Sequence, residues 1–196
     1  MKYDVKHELY YWNKPGQRKY QILEDNHNTY FAVHNVENII LPDCVLEYSQ
    51  QCNDIITILE QGSWIVTEYL QDYQPIIIRG SCDFYKEMRV KEYNNFFQSK
   101  TNCKNYYKRI VKEHIGLIES TGWHFNDRSG TNVMVDKNYT DFKIIDVMSL
   151  QPVTESQTFT VTEFFYPSKR KKALAHKYGM IIPDIKDIQQ LTYELT

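Results

Sequence analysis

Between residues 8 and 70 the apolar positions fall in short runs separated by turn residues. Glu8 to Trp12 is rich in aromatic residues and predicts a strand. Asn13-Lys14-Pro15-Gly16-Gln17-Arg18 is a turn by composition. Lys19 to Glu24 predicts a second strand, Asp25-Asn26-His27-Asn28 a hairpin turn, and Thr29 to Val36 a third strand. Pro42 is tolerated in the first turn of a helix and opens one that runs to about Cys52. Asp43 suits the positive end of that helix. Ile55 to Leu59 and Trp64 to Leu70 predict two further strands around the turn Gln61-Gly62-Ser63.

Beyond residue 80 the period lengthens. Ser81 to Phe97 predicts a helix with Phe84, Tyr85 and Met88 inward. Asn102 to Ser120 predicts another, whose apolar face carries Tyr106, Ile110, Ile115, Leu117 and Ile118. Gly122 ends it. A polar loop from Trp123 to Asn132 follows. Met134-Val135 and Phe142 to Ile145 then predict two short strands around Asp136-Lys137-Asn138-Tyr139-Thr140. The last 50 or so residues are mixed, with helices expected over Ser168 to Tyr178 and Asp184 to Tyr193. The class expected is α+β in two parts: residues 1–70, an antiparallel sheet with one helix, and residues 71–196, mainly helical.

Hydrophobic residues make up 42% of the chain and charged residues 24%, which is enough apolar material for a packed core. Tyr is common at 16, and Asn and Ile are frequent, a pattern that fits an A/T-rich coding bias and a viral or low-GC bacterial source. The net charge of -2 provides no overall field for a nucleic acid, so none is expected as a partner. One dense basic run, Lys169-Arg170-Lys171-Lys172 with Lys177 nearby, fits a solvated face or a patch for an acidic group. Cys44, Cys52, Cys82 and Cys103 form no C-x-x-C pair and no zinc spacing, so mostly buried thiols in a reducing compartment are expected. The charged start, Met1 to His7, does not resemble a signal peptide, and the apolar runs are too short to span a membrane. The expected place is the cytoplasm, that of a host if the source is viral.

The segment that carries chemistry is Trp123-His124-Phe125-Asn126-Asp127-Arg128-Ser129-Gly130-Thr131-Asn132, followed by the two strands and Asp146. Phosphoryl transfer needs an acceptor for a hydroxyl proton and hard oxygen ligands for Mg²⁺. An Asp on a loop, an Asn five residues later and an Asp after the next hairpin can converge, because the hairpin reverses the chain. These residues resemble the protein-kinase superfamily, whose catalytic loop reads Asp-x-x-x-x-Asn and whose metal-binding Asp opens an Asp-Phe-Gly motif. Asp127 and Asn132 match the loop spacing, and Asp146 lies 19 residues after Asp127. The resemblance implies a two-lobed kinase-like fold using ATP and Mg²⁺, with Asp127 as catalytic base and Asn132 and Asp146 as metal ligands. It spans roughly residues 8 to 150, and only the Asp127 to Asp146 part is specific.

The remaining assignments follow from the order of elements in that family. Gly16 falls where the phosphate loop would be, Glu47 mid-helix where an ion-pairing glutamate belongs, and Glu68 to Leu70 where a hinge offers backbone groups to adenine. Phe31-Ala32-Val33-His34 stands where Val-Ala-Ile-Lys is usual, so His34 occupies the lysine position. Asn126 replaces the usual Arg, Phe125 the usual His, and Asp146-Val147-Met148 the usual Asp-Phe-Gly. About 50 residues follow Asp146, which implies a truncated C-terminal lobe. The expected activity is phosphorylation of protein, with a protein substrate or regulatory partner. The alternatives are a pseudokinase acting as a binding module, a small-molecule phosphotransferase, or nucleotidyl transfer. Each residue also has a plain structural reading: a polar turn for Asp127 and Asn132, a strand-end cap for Asp146, a solvated helix position for Glu47.

Overall fold

A computed structural model of the chain describes residues 3–10, 19–75, 90–126, 132–154, 158–160 and 192–194, with the single positions 173, 176, 179 and 181. The class is mixed: a five-stranded antiparallel sheet, several smaller sheets and a few helices. The chain divides into two compact units, Met1–Gln71 and Asp72–Thr196.

In the first unit, β1 (Asp4–Tyr10), β2 (Lys19–Glu24), β3 (Thr29–His34), α1 (Asp43–Gln51), β4 (Ile58–Glu60) and β5 (Trp64–Glu68) follow in order. The strands align as β1-β2-β3-β5-β4. Aromatic and β-branched residues suit this half-buried surface. Ala32 sits opposite Val66, and Leu23 opposite Tyr30. These four form a buried cluster with Tyr3 and Trp64 packed against it. Removing such side chains from water contributes about 1.5–3 kcal/mol each for the larger ones.

The approach to α1 is fixed by two buried or half-buried amides. Asn35 donates to the Ile39 and Gly62 carbonyls at 2.8 and 2.9 Å and accepts from the Ile39 N–H. Gln61 bonds both backbone groups of Leu41, each at 2.8 Å. Pro42 is the N-cap of α1 without a side-chain cap, and Asp43 lies in the first turn. Ser49 ties α1 to β4 by accepting from the Ile58 N–H at 3.1 Å. The strand expected from Ile55 lies later, at Ile58–Glu60, with Ile55 in an isolated bridge.

In the second unit, α2 (Val90–Phe97) and α3 (Lys100–Thr121) accompany short strands. These are β6 (Gln74–Pro75), β7 (Trp123–Phe125), β8 (Val133–Val135), β9 (Phe142–Ile144), β10 (Leu150–Pro152), β11 (Thr158–Thr160) and β12 (Thr192–Glu194). They pair as β6-β8-β9, β7-β10 and β11-β12. Among the described residues of this unit, short strands accompany the two helices. The Ser99 hydroxyl caps α3 by accepting from the Asn102 N–H, and Gly122 ends it in the left-handed region at φ 70°. Tyr106, Tyr107, Ile110, Leu117 and Ile118 form its buried stripe, and Ile115 is only half-buried. Rings of Phe96, Phe97, Tyr106, Tyr139 and Phe142 pack together beside it, with Arg109 4.7 Å over the Phe142 ring.

Three expectations change. Trp123 to Phe125 is a strand rather than part of a loop, because it pairs with Leu150–Pro152. Thr192 and Tyr193, expected in a helix, lie in β12 against β11. Cys44 is exposed and Cys52 half-buried, neither in a disulfide, so the thiols on α1 and at its end are not the buried ones expected. Residues 81–89, 127–131 and the basic run at 169–172 lie outside the described residues, as do Gly16, Asp127, Cys82 and Lys177.

Candidate functional site

The β8–β9 hairpin sets the geometry of the candidate metal residues. Val133 pairs with Ile144, Met134 with Lys143 and Val135 with Phe142. The ladder extends by one more bond, from the Ile145 N–H to the Asn132 carbonyl at 2.8 Å. Asn132 thus enters the hairpin where Asp146 leaves it. Fourteen residues apart in sequence, their side chains meet: Asn132 Nδ2 donates to Asp146 Oδ2 at 3.2 Å. Asn132 is 1% exposed and Asp146 half-buried. After Asp146 a 3-10 turn, Val147–Ser149, leads into β10, and the Ser149 N–H and hydroxyl both bond the Asp146 carbonyl at 2.9 Å.

The far end of the hairpin is held by Asp136. Its carboxylate accepts from the Asn138, Thr140 and Asp141 N–H groups at 3.1, 2.7 and 2.9 Å and from the Thr140 hydroxyl at 3.1 Å. Partial burial opposes its charge, but these donors outweigh that and hold the carboxyl below its ordinary value. Tyr139 takes φ 58° in this turn, with its ring buried on Phe96. The packing of that ring offsets the strain of a left-handed residue.

Asn and Asp supply hard oxygens, the donors that Mg²⁺ prefers, and Mg²⁺ is commonly held by one or two such residues together with phosphates. The bond that joins them uses the Asn132 amide nitrogen and one Asp146 carboxylate oxygen. Among the described residues no group of three or more His, Cys, Asp or Glu gathers as a metal site. The third member of the expected trio, Asp127, lies outside the described residues.

The first unit treats its candidates differently. The His34 ring lies 5.0 Å from that of Trp64, the residue it faces in the β3–β5 ladder. Glu47 is exposed on α1. No ion pair joins the two among the described residues. Glu68 is half-buried and its Oε1 accepts from the Thr57 N–H at 2.8 Å, so its carboxylate serves the β4–β5 connection. Its carbonyl accepts from the Thr67 hydroxyl at 3.2 Å, and Leu70 is half-buried. Gly16 lies outside the described residues.

Two buried histidines stand out, His124 from the segment singled out in the sequence and His114 from outside it. His114, on the buried stripe of α3, is 4% exposed, and the Phe125 N–H donates to its Nε2 at 3.3 Å. Gln151 of β10 bonds the ring of buried His124 at 3.2 Å. The signal for His114 was its spacing, one turn after Ile110 and one before Leu117 and Ile118. Among the described residues, no helix is long and apolar enough to cross a membrane. Compared with protein-family models and with curated proteins, the chain matches none.

Proposed function

We propose that the protein is an ATP- and Mg²⁺-dependent phosphotransferase of the protein-kinase-like fold, acting on protein. The observation that carries this reading is the meeting of Asn132 and Asp146 at the open end of the β8–β9 hairpin. Asn132 and Asp146 would hold the ion, which supplies charge neutralisation of the nucleotide phosphates. Asp127 accepts the proton of the acceptor hydroxyl as its oxygen bonds to the γ-phosphorus and ADP leaves. The ladder that sets Asn132 beside Asp146 supports this reading, since groups held together before substrate arrives leave less ordering for the transfer step.

A second reading is a pseudokinase, a binding module without transfer. It is favoured by the first unit, where His34 packs on Trp64 and Glu47 stays exposed rather than forming an ion pair. The two readings separate on incubation with γ-labelled and, in parallel, α-labelled ATP and Mg²⁺. The phosphotransferase reading expects label from the γ position on protein, falling by about 10³-fold in Asp127→Ala and Asp146→Ala with folding kept. Label from the α position points to nucleotidyl transfer instead. Nucleotide binding without transfer across a panel of protein acceptors favours the pseudokinase.

A further inference from the structure

Strand β7 has a buried edge that no strand covers among the described residues. Among the described residues it pairs with β10 alone, Phe125 lying opposite Leu150. Phe125 is fully buried, and because the next residue's N–H, that of Asn126, donates to the Ser149 carbonyl, the Phe125 backbone groups turn away from β10. A buried N–H or C=O must find a partner. Here the partners are imidazoles. The Phe125 N–H donates to His114 Nε2 at 3.3 Å, and the Phe125 carbonyl lies 3.2 Å from His124 Nδ1. An N–H is accepted only by a ring nitrogen that carries no proton, so His114 Nε2 is bare. The Gln151 amide nitrogen faces His124 Nε2, which leaves Nδ1–H of that ring to donate to the carbonyl. Of the two rings, it is His114 whose acceptor role is fixed by a backbone donor.

We infer that His114 is a proton-controlled latch on β7. Protonation at Nε2 turns the acceptor into a donor. Two N–H groups then face each other, and the buried Phe125 amide loses its partner. Glutamine at Gln151 can rotate its amide to meet a protonated His124, but a backbone N–H has no such freedom, so His114 is the sensitive member. The titratable group facing His114 from β7 is His124, with ring centroids 6.4 Å apart. One turn away on its own helix are Ile110, Val111, Leu117 and Ile118, while Lys112 is exposed and Glu113 half-exposed. β10 contributes the neutral Gln151. Any consequence for activity rests on the phosphotransferase reading, because β7 precedes Asp127 and Asn132 in sequence; the latch itself does not.

The test is amide hydrogen exchange on the full chain from pH 8 to pH 5, corrected for intrinsic exchange, following peptides that contain residues 123–126. Wild type is expected to lose protection there by at least about tenfold towards pH 5, while β3 peptides hold theirs. His114→Gln keeps an acceptor oxygen that does not titrate, and its β7 protection is expected to be flat. A wild-type profile that is flat, or a variant that falls as wild type does, overturns the latch. Should His114→Gln fail to fold, ¹⁵N NMR of the wild-type rings decides. His114 Nε2 protonation and the Phe125 amide shift are expected to titrate together, and independent titrations overturn the inference. Neither readout depends on phosphotransfer, so failure here is distinguishable from failure of the proposed activity.

Discussion

Asn132 and Asp146 in the second unit, and His34 and Glu47 in the first, are two pairs drawn from one expected constellation. The structure treats them differently. Asn132 and Asp146 are joined by a side-chain hydrogen bond, and the backbone ladder of a hairpin leaves them side by side. His34 packs on an indole and Glu47 sits on an exposed helix face, with only side-chain rotamers to bring them together. The lesson is about where order is supplied. A pair placed by backbone hydrogen bonds is pre-ordered, whereas a pair that depends on side-chain rotamers must give up rotamer entropy to form and gains little near the surface. Of the two pairs, Asn132 and Asp146 are thus the one that the backbone places.

Substitutions sharpen that contrast. The largest effect is expected from Asn132→Ala. It removes the donor to Asp146 from a fully buried position and should cost the second unit about 1–3 kcal/mol, read by urea unfolding. Transfer should fall by at least about tenfold. Asp136→Asn acts at the other end of the hairpin and should cost about 1 kcal/mol near neutral pH. Its pH signature has a definite sign. The wild-type carboxyl is held below its ordinary value of 3.8, so its contribution is present above that value and lost as pH falls through the lower folded one. Unfolding scans below about pH 4 should therefore show a slope in wild type that the Asn variant lacks. Glu47→Ala is the smallest change, within about 0.5 kcal/mol. A loss of transfer in that variant as deep as in Asp146→Ala would mean that the first-unit pair assembles during turnover, and would break the contrast.

The fold was legible where one local signal decided the element. Lys19 to Glu24 and Thr29 onward alternate around an Asp-Asn-His-Asn turn, and α3 carries both its apolar stripe and Gly122. Phe142 to Ile145 was nearly right, β9 ending one residue earlier. What failed was pairing between distant segments. Trp123-His124-Phe125 has no hairpin partner nearby, and its strand exists only because Leu150–Pro152 returns beside it. β12 depends on β11 in the same way, across more than 30 residues. The juxtaposition of Asn132 and Asp146 was readable, because a hairpin of known ends must bring its flanks together. The place of His114 was not, since a histidine on a buried helix stripe says nothing of which backbone amide it will meet.

The most direct test of the central claim uses Mn²⁺ as a paramagnetic stand-in for Mg²⁺, with ATP, in NMR titrations of the isotope-labelled chain. The account expects selective broadening of the Asn132 side-chain amide and the Asp146 and Val147 backbone signals, abolished in Asp146→Ala. Broadening centred elsewhere, or none at saturating nucleotide and metal, would contradict it.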